Sequence, residues 1–124
     1  MIMGIGIDII EIKRVQRIIT LTDSFIQKYF TIEEIKYFNS HKLRGTIIAG
    51  NFAAKEAISK ALGTGIINFD LTDIEILYDK SSGKPYVNIK EKIYKIIGKR
   101  NVKIHITISN SSENAIAYAI LEET

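Results

Sequence analysis

A glutamate and a lysine four residues apart, followed by a glycine loop, form a pattern that could do chemistry in this sequence. Glu56 and Lys60 fall one turn apart in a segment rich in good helix formers, so they share one helix face. Gly63 and Gly65 end that helix, and backbone N–H groups in such a loop can approach a phosphate. Together these residues could hold a metal ion and a phosphate side by side. The alternative is a surface ion pair that stabilises the helix by about 0.3 to 0.5 kcal/mol.

A second carboxylate, Asp8, lies in an alternating segment near the N-terminus. Isoleucines alternate through residues 5–9 on one face of this predicted strand, and that face can be buried in a core. Gly4 and Gly6 lie on the other face beside Asp8, so a helix or a ligand can approach the backbone closely there. The alternative is a tightly packed strand end that binds nothing.

The rest of the chain predicts the elements that must position these residues. Helical patterns fill most of the first half; they lie at 11–21, 23–30, 31–38 and 43–62. Strand patterns surround a short helix at 91–97; they lie at 74–78, 85–89, 102–109 and 115–121. This order predicts an α+β fold with a largely antiparallel sheet packed against the long central helix. Because 124 residues give room for one core, residues 1–124 are expected to form a single domain.

Composition excludes several kinds of site. The absence of cysteine excludes disulfides, thiolate catalysis and thiolate zinc sites. A metal would need carboxylates or histidines, which points to a hard ion such as magnesium. His105 lies on the polar face of its strand and His41 in a loop, and both are expected to be ordinary histidines. No apolar run is long enough to span a membrane and no signal peptide is evident, so we expect a cytoplasmic protein without a membrane partner.

Four separated segments resemble one known family. Segment 4–12 (GIGIDIIEI) resembles the N-terminal signature of the holo-acyl-carrier-protein synthases, the small bacterial 4′-phosphopantetheinyl transferases. Segment 52–66 (FAAKEAISKALGTGI) resembles their central motif almost letter for letter. Segments 83–86 (GKPY) and 105–111 (HITISNS) match the family's hairpin and its C-terminal strand and turn. The similarity covers the whole chain in the right order.

The resemblance implies an enzyme that moves the phosphopantetheine arm of coenzyme A to a serine of apo acyl carrier protein. Adenosine 3′,5′-bisphosphate would be released, and the reaction would support fatty acid biosynthesis. The family's magnesium carboxylates fall on Asp8 and Glu56, and Lys60 would neutralise charge on the phosphate. The serine proton would pass to Glu56 or to a metal-bound water, and the sequence leaves both open. The family is trimeric with active sites at subunit boundaries, so a homotrimer is expected.

Further residues are assigned to the two substrates by the same resemblance. The basic face of the first helix would dock the acidic carrier protein; it comprises Lys13, Arg14 and Arg17. Residues expected to bind coenzyme A are Lys60, Gly63, Gly65, Asn51, Asn110, Ser111 and Arg44. Many family members have arginine at the position of Asn51 and histidine at that of Asn110. A weaker hold on the 3′-phosphate is therefore expected, unless Arg44 or its neighbours Lys42 and His41 compensate.

Two other functions stay open at this point. A protein of the same fold that binds coenzyme A or a carrier without catalysis is compatible with the two asparagines. A small basic nucleic-acid-binding module is suggested only by the net charge of +3. Arginines are few and no aromatic-basic platform is evident, so no nucleic-acid partner is expected.

Overall fold

A long helix lies against one face of a three-stranded antiparallel sheet in the computed structural model, which describes residues 1–22, 24–66 and 68–124. The elements in chain order are β1 (Ile2–Glu11), α1 (Ile12–Leu21), α2 (Phe25–Tyr29), α3 (Ile32–Ser40), α4 (Gly45–Leu62), β2 (Ile74–Tyr78), β3 (Pro85–Ile89), α5 (Glu91–Ile97), β4 (Val102–Asn110) and β5 (Asn114–Glu123). A short 3-10 helix at Leu71–Asp73 precedes β2. The predicted α+β class with antiparallel pairing is confirmed.

The last strand of the chain occupies the centre of the three-stranded sheet. The strand order is β1-β5-β4, and both neighbours run antiparallel to β5. Alanines at 115, 117 and 119 are buried on the inner face of β5, and their small side chains let α4 lie close. β2 and β3 form a separate two-stranded hairpin, as predicted.

The glycine face of β1 is where α4 makes its closest approach. A Cβ atom added at Gly4 would lie 1.9 Å from the carbonyl oxygen of Ala61. One added at Gly6 would lie 1.9 Å from the carbonyl oxygen of Ala57. The expected close approach of a helix to this face is therefore confirmed, and the two glycines are required because any side chain would collide with the helix backbone.

The isoleucine face of β1 was predicted to enter a core, and within one chain this prediction is wrong. Ile5, Ile7 and Ile9 are 58%, 50% and 62% exposed. Ile116, Tyr118 and Ile120 of β5 pair with them in the antiparallel register, so their side chains lie on the same outer face. The physical reason is that α4 needs the bare glycine backbone and so packs on the opposite side of the sheet.

The helical region follows the prediction with shifted boundaries. Thr31 caps α3 in a capping box with Glu34, as the sequence predicts, but α3 continues to Ser40. The predicted helix at 23–30 is observed as α2, and Asp23 lies outside the described residues. α4 begins after Lys42 and Leu43, whose positive φ values of 59° and 52° are incompatible with a helix. In the described part of the chain, no helix combines the length and apolar character needed to cross a bilayer.

Candidate functional site

Three predicted site residues from two elements converge where α4 crosses β1. Asp8 is two residues beyond Gly6 on β1, and Lys60 lies in the last turn of α4. Lys60 Nζ donates to the carbonyl oxygen of Ile7 at 2.9 Å and lies 3.4 Å from Asp8 Oδ1. The Lys60 side chain is 55% exposed, so its ammonium can reach an anion from solvent. Lys60 thus pairs with Asp8 across the two elements.

Glu56 completes this group one turn before Lys60. Partial burial and, next, the negative charge of Asp8 raise the pKa of Glu56 above its ordinary value, while Lys60 opposes the shift. The neighbouring carboxylates of Asp8 and Glu56 form a set of hard oxygen donors suited to a divalent cation such as magnesium. Within residues 1–22, 24–66 and 68–124, no cluster of three or more metal-ligating side chains occurs. A magnesium ion here would take two protein carboxylates, leaving positions for phosphate oxygens and water.

The glycine loop after α4 is open on one side. Gly63 and Gly65 have φ values of 79° and 66°, and a Cβ added at either would meet no atom within 4 Å. The N–H of Gly63 donates to the carbonyl oxygen of Lys60 at 3.0 Å and closes the helix. Of the two predicted phosphate-binding glycines, Gly63 therefore uses its N–H within the chain.

Asn110 and Ser111 line a shallow cleft beside β1. The cleft, about 290 Å³ in volume, lies at the β4–β5 turn and includes Ile9, the residue after Asp8. Ser111 Oγ accepts hydrogen bonds from the N–H groups of Glu113 and Asn114 and shapes the turn. Ile9 and Ile116 belong to the outer face of the sheet, so within one chain this cleft opens on the face opposite to Asp8.

Asn51 is placed differently from the prediction. Its side chain is 1% exposed, on the side of α4 that faces the β2–β3 hairpin. Its amide donates to the carbonyl oxygen of Ile76 at 3.2 Å, and its oxygen accepts from the Tyr78 hydroxyl at 2.5 Å. Contrary to the predicted contact with coenzyme A, the polar atoms of Asn51 are used inside the protein. Its spacing of five residues from Glu56 turns it to a different side of the helix.

The other predicted residues are exposed and do not join the group within one chain. Lys13, Arg14 and Arg17 form an exposed face of α1, whose buried residues are Ile12 and Val15. Arg44 is exposed just before α4. Twelve residues of helix separate Arg44 from Glu56, which corresponds to about 18 Å along the axis.

Both histidines make local contacts, as expected of ordinary histidines. His105 Nε2 lies 2.9 Å from Glu122 Oε1, and this hydrogen bond holds the pKa of Glu122 below its usual value. His41 Nδ1 lies 2.9 Å from the carbonyl oxygen of Tyr37 at the end of α3, and the two rings stack. Neither contact involves the Asp8 group.

Sequence reasoning missed a buried ion pair between Glu34 and Lys55, the residue before Glu56. The sequence assigned Glu34 only its capping role. A usable signal was present, because Lys55 is a charged residue inside a helix segment otherwise dominated by alanine.

Comparison with known proteins gives consistent results. The model of the 4′-phosphopantetheinyl transferase superfamily matches residues 4–119. The holo-[acyl-carrier-protein] synthase of Clostridium beijerinckii is 54% identical over 122 residues, covering 98% of each chain. That of Clostridium tetani is 53% identical over 123 residues, covering 98% of this chain and 97% of the relative.

Solved structures show the same fold. The holo-(acyl-carrier-protein) synthase of Bacillus anthracis, in complex with CoA (3′,5′-ADP), has a TM-score of 0.84 and 36% identity, covering 100% of this chain and 99% of the other. The synthase of Neisseria meningitidis has a TM-score of 0.87 and 30% identity, covering 98% and 99%. This chain therefore belongs to the 4′-phosphopantetheinyl transferase superfamily, among the holo-[acyl-carrier-protein] synthases.

Proposed function

We propose that this protein transfers the 4′-phosphopantetheine arm of coenzyme A to a serine of apo acyl carrier protein, as a single cytoplasmic transferase domain serving fatty acid biosynthesis. The observation that carries the proposal is the meeting of Asp8, Glu56 and Lys60 at the crossing of β1 and α4. The printed names of the relatives, and the bound CoA in the Bacillus anthracis structure, support the choice of substrates.

In the proposed reaction, the serine oxygen forms a bond to the phosphorus that bears the pantetheine arm. The bond from that phosphorus to the bridging oxygen breaks, and adenosine 3′,5′-bisphosphate leaves with the electron pair. Negative charge grows on the phosphate oxygens, so positioning and electrostatic stabilisation supply most of the rate. The exposed ammonium of Lys60, held beside Asp8, would lie against this charge.

Asp8 and Glu56 would hold magnesium, which when bound neutralises charge on the phosphates. Their fit rests on the donor chemistry of two adjacent carboxylates; burial first, and then the charge of Asp8, raise the pKa of Glu56. Glu56 or a water held by the magnesium would accept the serine proton. Asn110 and Ser111 would contact the nucleotide end of coenzyme A through the cleft at the β4–β5 turn.

We also propose a homotrimer with sites at its subunit boundaries. Its support is the exposed apolar face of the sheet, where Ile5, Ile7 and Ile9 stand beside the outward residues of β5. Contiguous apolar surface of this kind marks interaction sites. The separation of Arg44 from Glu56 along α4 agrees with a site to which two subunits contribute.

The carrier protein would dock on α1, whose outer face carries Lys13, Arg14 and Arg17. α1 follows β1 directly, so this basic face begins within a few residues of Asp8. Attraction between this face and an acidic partner would weaken with salt, because exposed charges are screened over about 8 to 10 Å in ordinary buffers.

The test is to incubate the protein with apo acyl carrier protein, coenzyme A and magnesium, and to weigh the carrier by mass spectrometry. An arm-sized mass gain is expected, and Asp8→Ala and Glu56→Ala should each abolish it. Binding of coenzyme A without any mass gain would instead identify a non-catalytic binder. Ser81→Ala, in the β2–β3 turn, serves as a control that leaves the gain unchanged.

A further inference from the structure

A fully buried ion pair anchors the side of α4 on which Lys55 lies. Lys55 Nζ lies 2.6 Å from Glu34 Oε1, and neither side chain is exposed. The same ammonium donates to the carbonyl oxygens of Tyr29 at 2.8 Å and Leu71 at 3.0 Å. Its three hydrogen-bonding positions are thus all used, with acceptors from the end of α2, from α3 and from the 3-10 helix.

Glu34 extends the anchor to two further backbone groups. Its Oε1 accepts from the N–H of Thr31 at 2.9 Å, and its Oε2 accepts from the N–H of Ile76 at 3.0 Å. The amide of Asn51, one turn before Lys55 on α4, lies 3.5 Å from the same Oε2. The carboxylate therefore links α3 and the β2–β3 hairpin to α4 by directional bonds.

Two stripes run side by side along α4. Asn51 and Lys55 form the anchored stripe, and Glu56 and Lys60 form the stripe that faces Asp8. Neighbouring residues of a helix point about 100° apart, since 3.6 residues complete a turn. A rotation of α4 that redirects Glu56 would therefore also pull Lys55 away from its acceptors.

On its opposite side, α4 contacts the bare backbone of Gly4 and Gly6 and the alanines of β5, which fix its distance from the sheet. The directional side-chain bond on that side comes from the half-exposed Lys60 to the carbonyl oxygen of Ile7. Replacing a buried ion pair with well-packed apolar side chains of similar volume is often neutral for stability. Here the replacement would also remove the partners of the N–H groups of Thr31 and Ile76 and of the carbonyls of Tyr29 and Leu71.

We propose that Lys55 and Glu34 are positioning residues, which fix the rotation of α4 and so direct Glu56 and Lys60 towards Asp8. The proposal rests on the function proposed above for Glu56. Hydrogen bonds from Lys55 to two backbone carbonyls make the anchor rigid, and the carbonyls belong to segments outside α4. Loss of the anchor would leave α4 folded against β1 with its site stripe free to turn.

The decisive variant replaces the ion pair with apolar residues, as Glu34→Leu with Lys55→Met. Its matched control is Ile93→Ala, which removes a buried core side chain in α5 and should cost about 2 to 5 kcal/mol of stability. Thermal unfolding, kcat, KM for coenzyme A and Mg²⁺ binding by calorimetry on the free protein are measured for each. A merely structural role predicts that activity and Mg²⁺ affinity follow stability in both proteins.

The expected result separates the two variants. The double variant should lose about 100-fold in kcat and about 10-fold or more in Mg²⁺ affinity, with KM for coenzyme A nearly unchanged. Ile93→Ala should keep kcat and Mg²⁺ affinity when assayed below its unfolding temperature. A folded double variant with wild-type kcat and Mg²⁺ affinity would overturn the proposal.

Glu34→Asp covers the case in which the double variant does not fold. It keeps the charge but withdraws the carboxylate by one methylene, so Lys55 must shift to follow it. A lower kcat and weaker Mg²⁺ binding are expected, and wild-type values of both would again overturn the proposal. If the wild-type protein binds Mg²⁺ but transfers no arm, the proposed function fails, while the Mg²⁺ titrations of the variants still test the anchor.

Discussion

Replacing Gly6 with alanine should separate the two carboxylates of the site without altering either. The added Cβ would lie 1.9 Å from the carbonyl oxygen of Ala57 and 2.8 Å from the N atom of Ala61, both in the backbone of α4. Real Cβ contacts essentially never fall below 3.0 Å, so α4 must withdraw from β1 by at least about 1.1 Å. Asp8 stays with β1 while Glu56 moves with α4.

This displacement has two expected costs. A misplacement of about 1 Å at a reacting centre can lower the rate about 100-fold. Overpacking of this kind destabilises by about 1 to 3 kcal/mol. Gly6→Ala should therefore fold, with a lower unfolding temperature and a loss in kcat of about 100-fold, much larger than its loss of folded protein explains.

The assay measures kcat from the mass gain of the carrier protein, together with thermal unfolding of the same samples. Gly50→Ala is the matched control, because its Cβ would meet only the Cγ2 methyl of Ile108 at 2.9 Å, a side-chain contact just under the 3.0 Å limit and not a collision with backbone. The control should keep kcat close to that of the wild type. If Gly6→Ala also kept the wild-type kcat, the close approach of α4 to β1 would not be what places Glu56 correctly relative to Asp8.

Four further predictions follow from the site and the surfaces. Glu56→Gln should raise the unfolding temperature at neutral pH while lowering activity, because the raised pKa of Glu56 means that the folded state disfavours the ionised carboxylate. The stability difference from wild type should shrink as the pH falls below that raised pKa and vanish below the ordinary pKa of glutamate, and a difference that does not change with pH would contradict this. Arg14→Glu should raise KM for the carrier protein at low salt and flatten its salt dependence, and a KM unaffected by either would remove α1 from docking. Ile7→Asp should reduce the mass measured by light scattering to that of a single chain, whereas an intact assembly would exclude the sheet face as the interface. Asn110→His should lower KM for coenzyme A by adding positive charge at the cleft, and an unchanged KM would remove this residue from nucleotide binding.

Local chemistry in the sequence is enough to predict most elements of this fold. Thr31 and Glu34 satisfy backbone groups at a helix start, and Gly63 adopts the left-handed conformation that ends α4. The β2–β3 hairpin follows from alternation around a polar turn. These features depend on residues a few positions apart in the chain. They can therefore be predicted from the sequence without knowledge of the tertiary structure.

The sequence also predicts that Asp8, Glu56 and Lys60 form one site. This prediction comes from helical spacing and from motifs typical of a family. Their meeting in space agrees with that hypothesis. Spacing along one helix accounts for Glu56 and Lys60, but the proximity of Asp8 depends on the crossing of α4 over β1.

Only the tertiary structure decided which faces are covered. Alternation shows that β1 has two unlike faces, but α4 packs on the glycine face and leaves Ile7 and its neighbours exposed. Asn51 and Lys55 likewise look like surface residues of a helix, and both are buried against segments distant in sequence. Burial and directional bonding of this kind depend on which elements meet, and that is decided by contacts between residues far apart in the chain rather than by any local pattern.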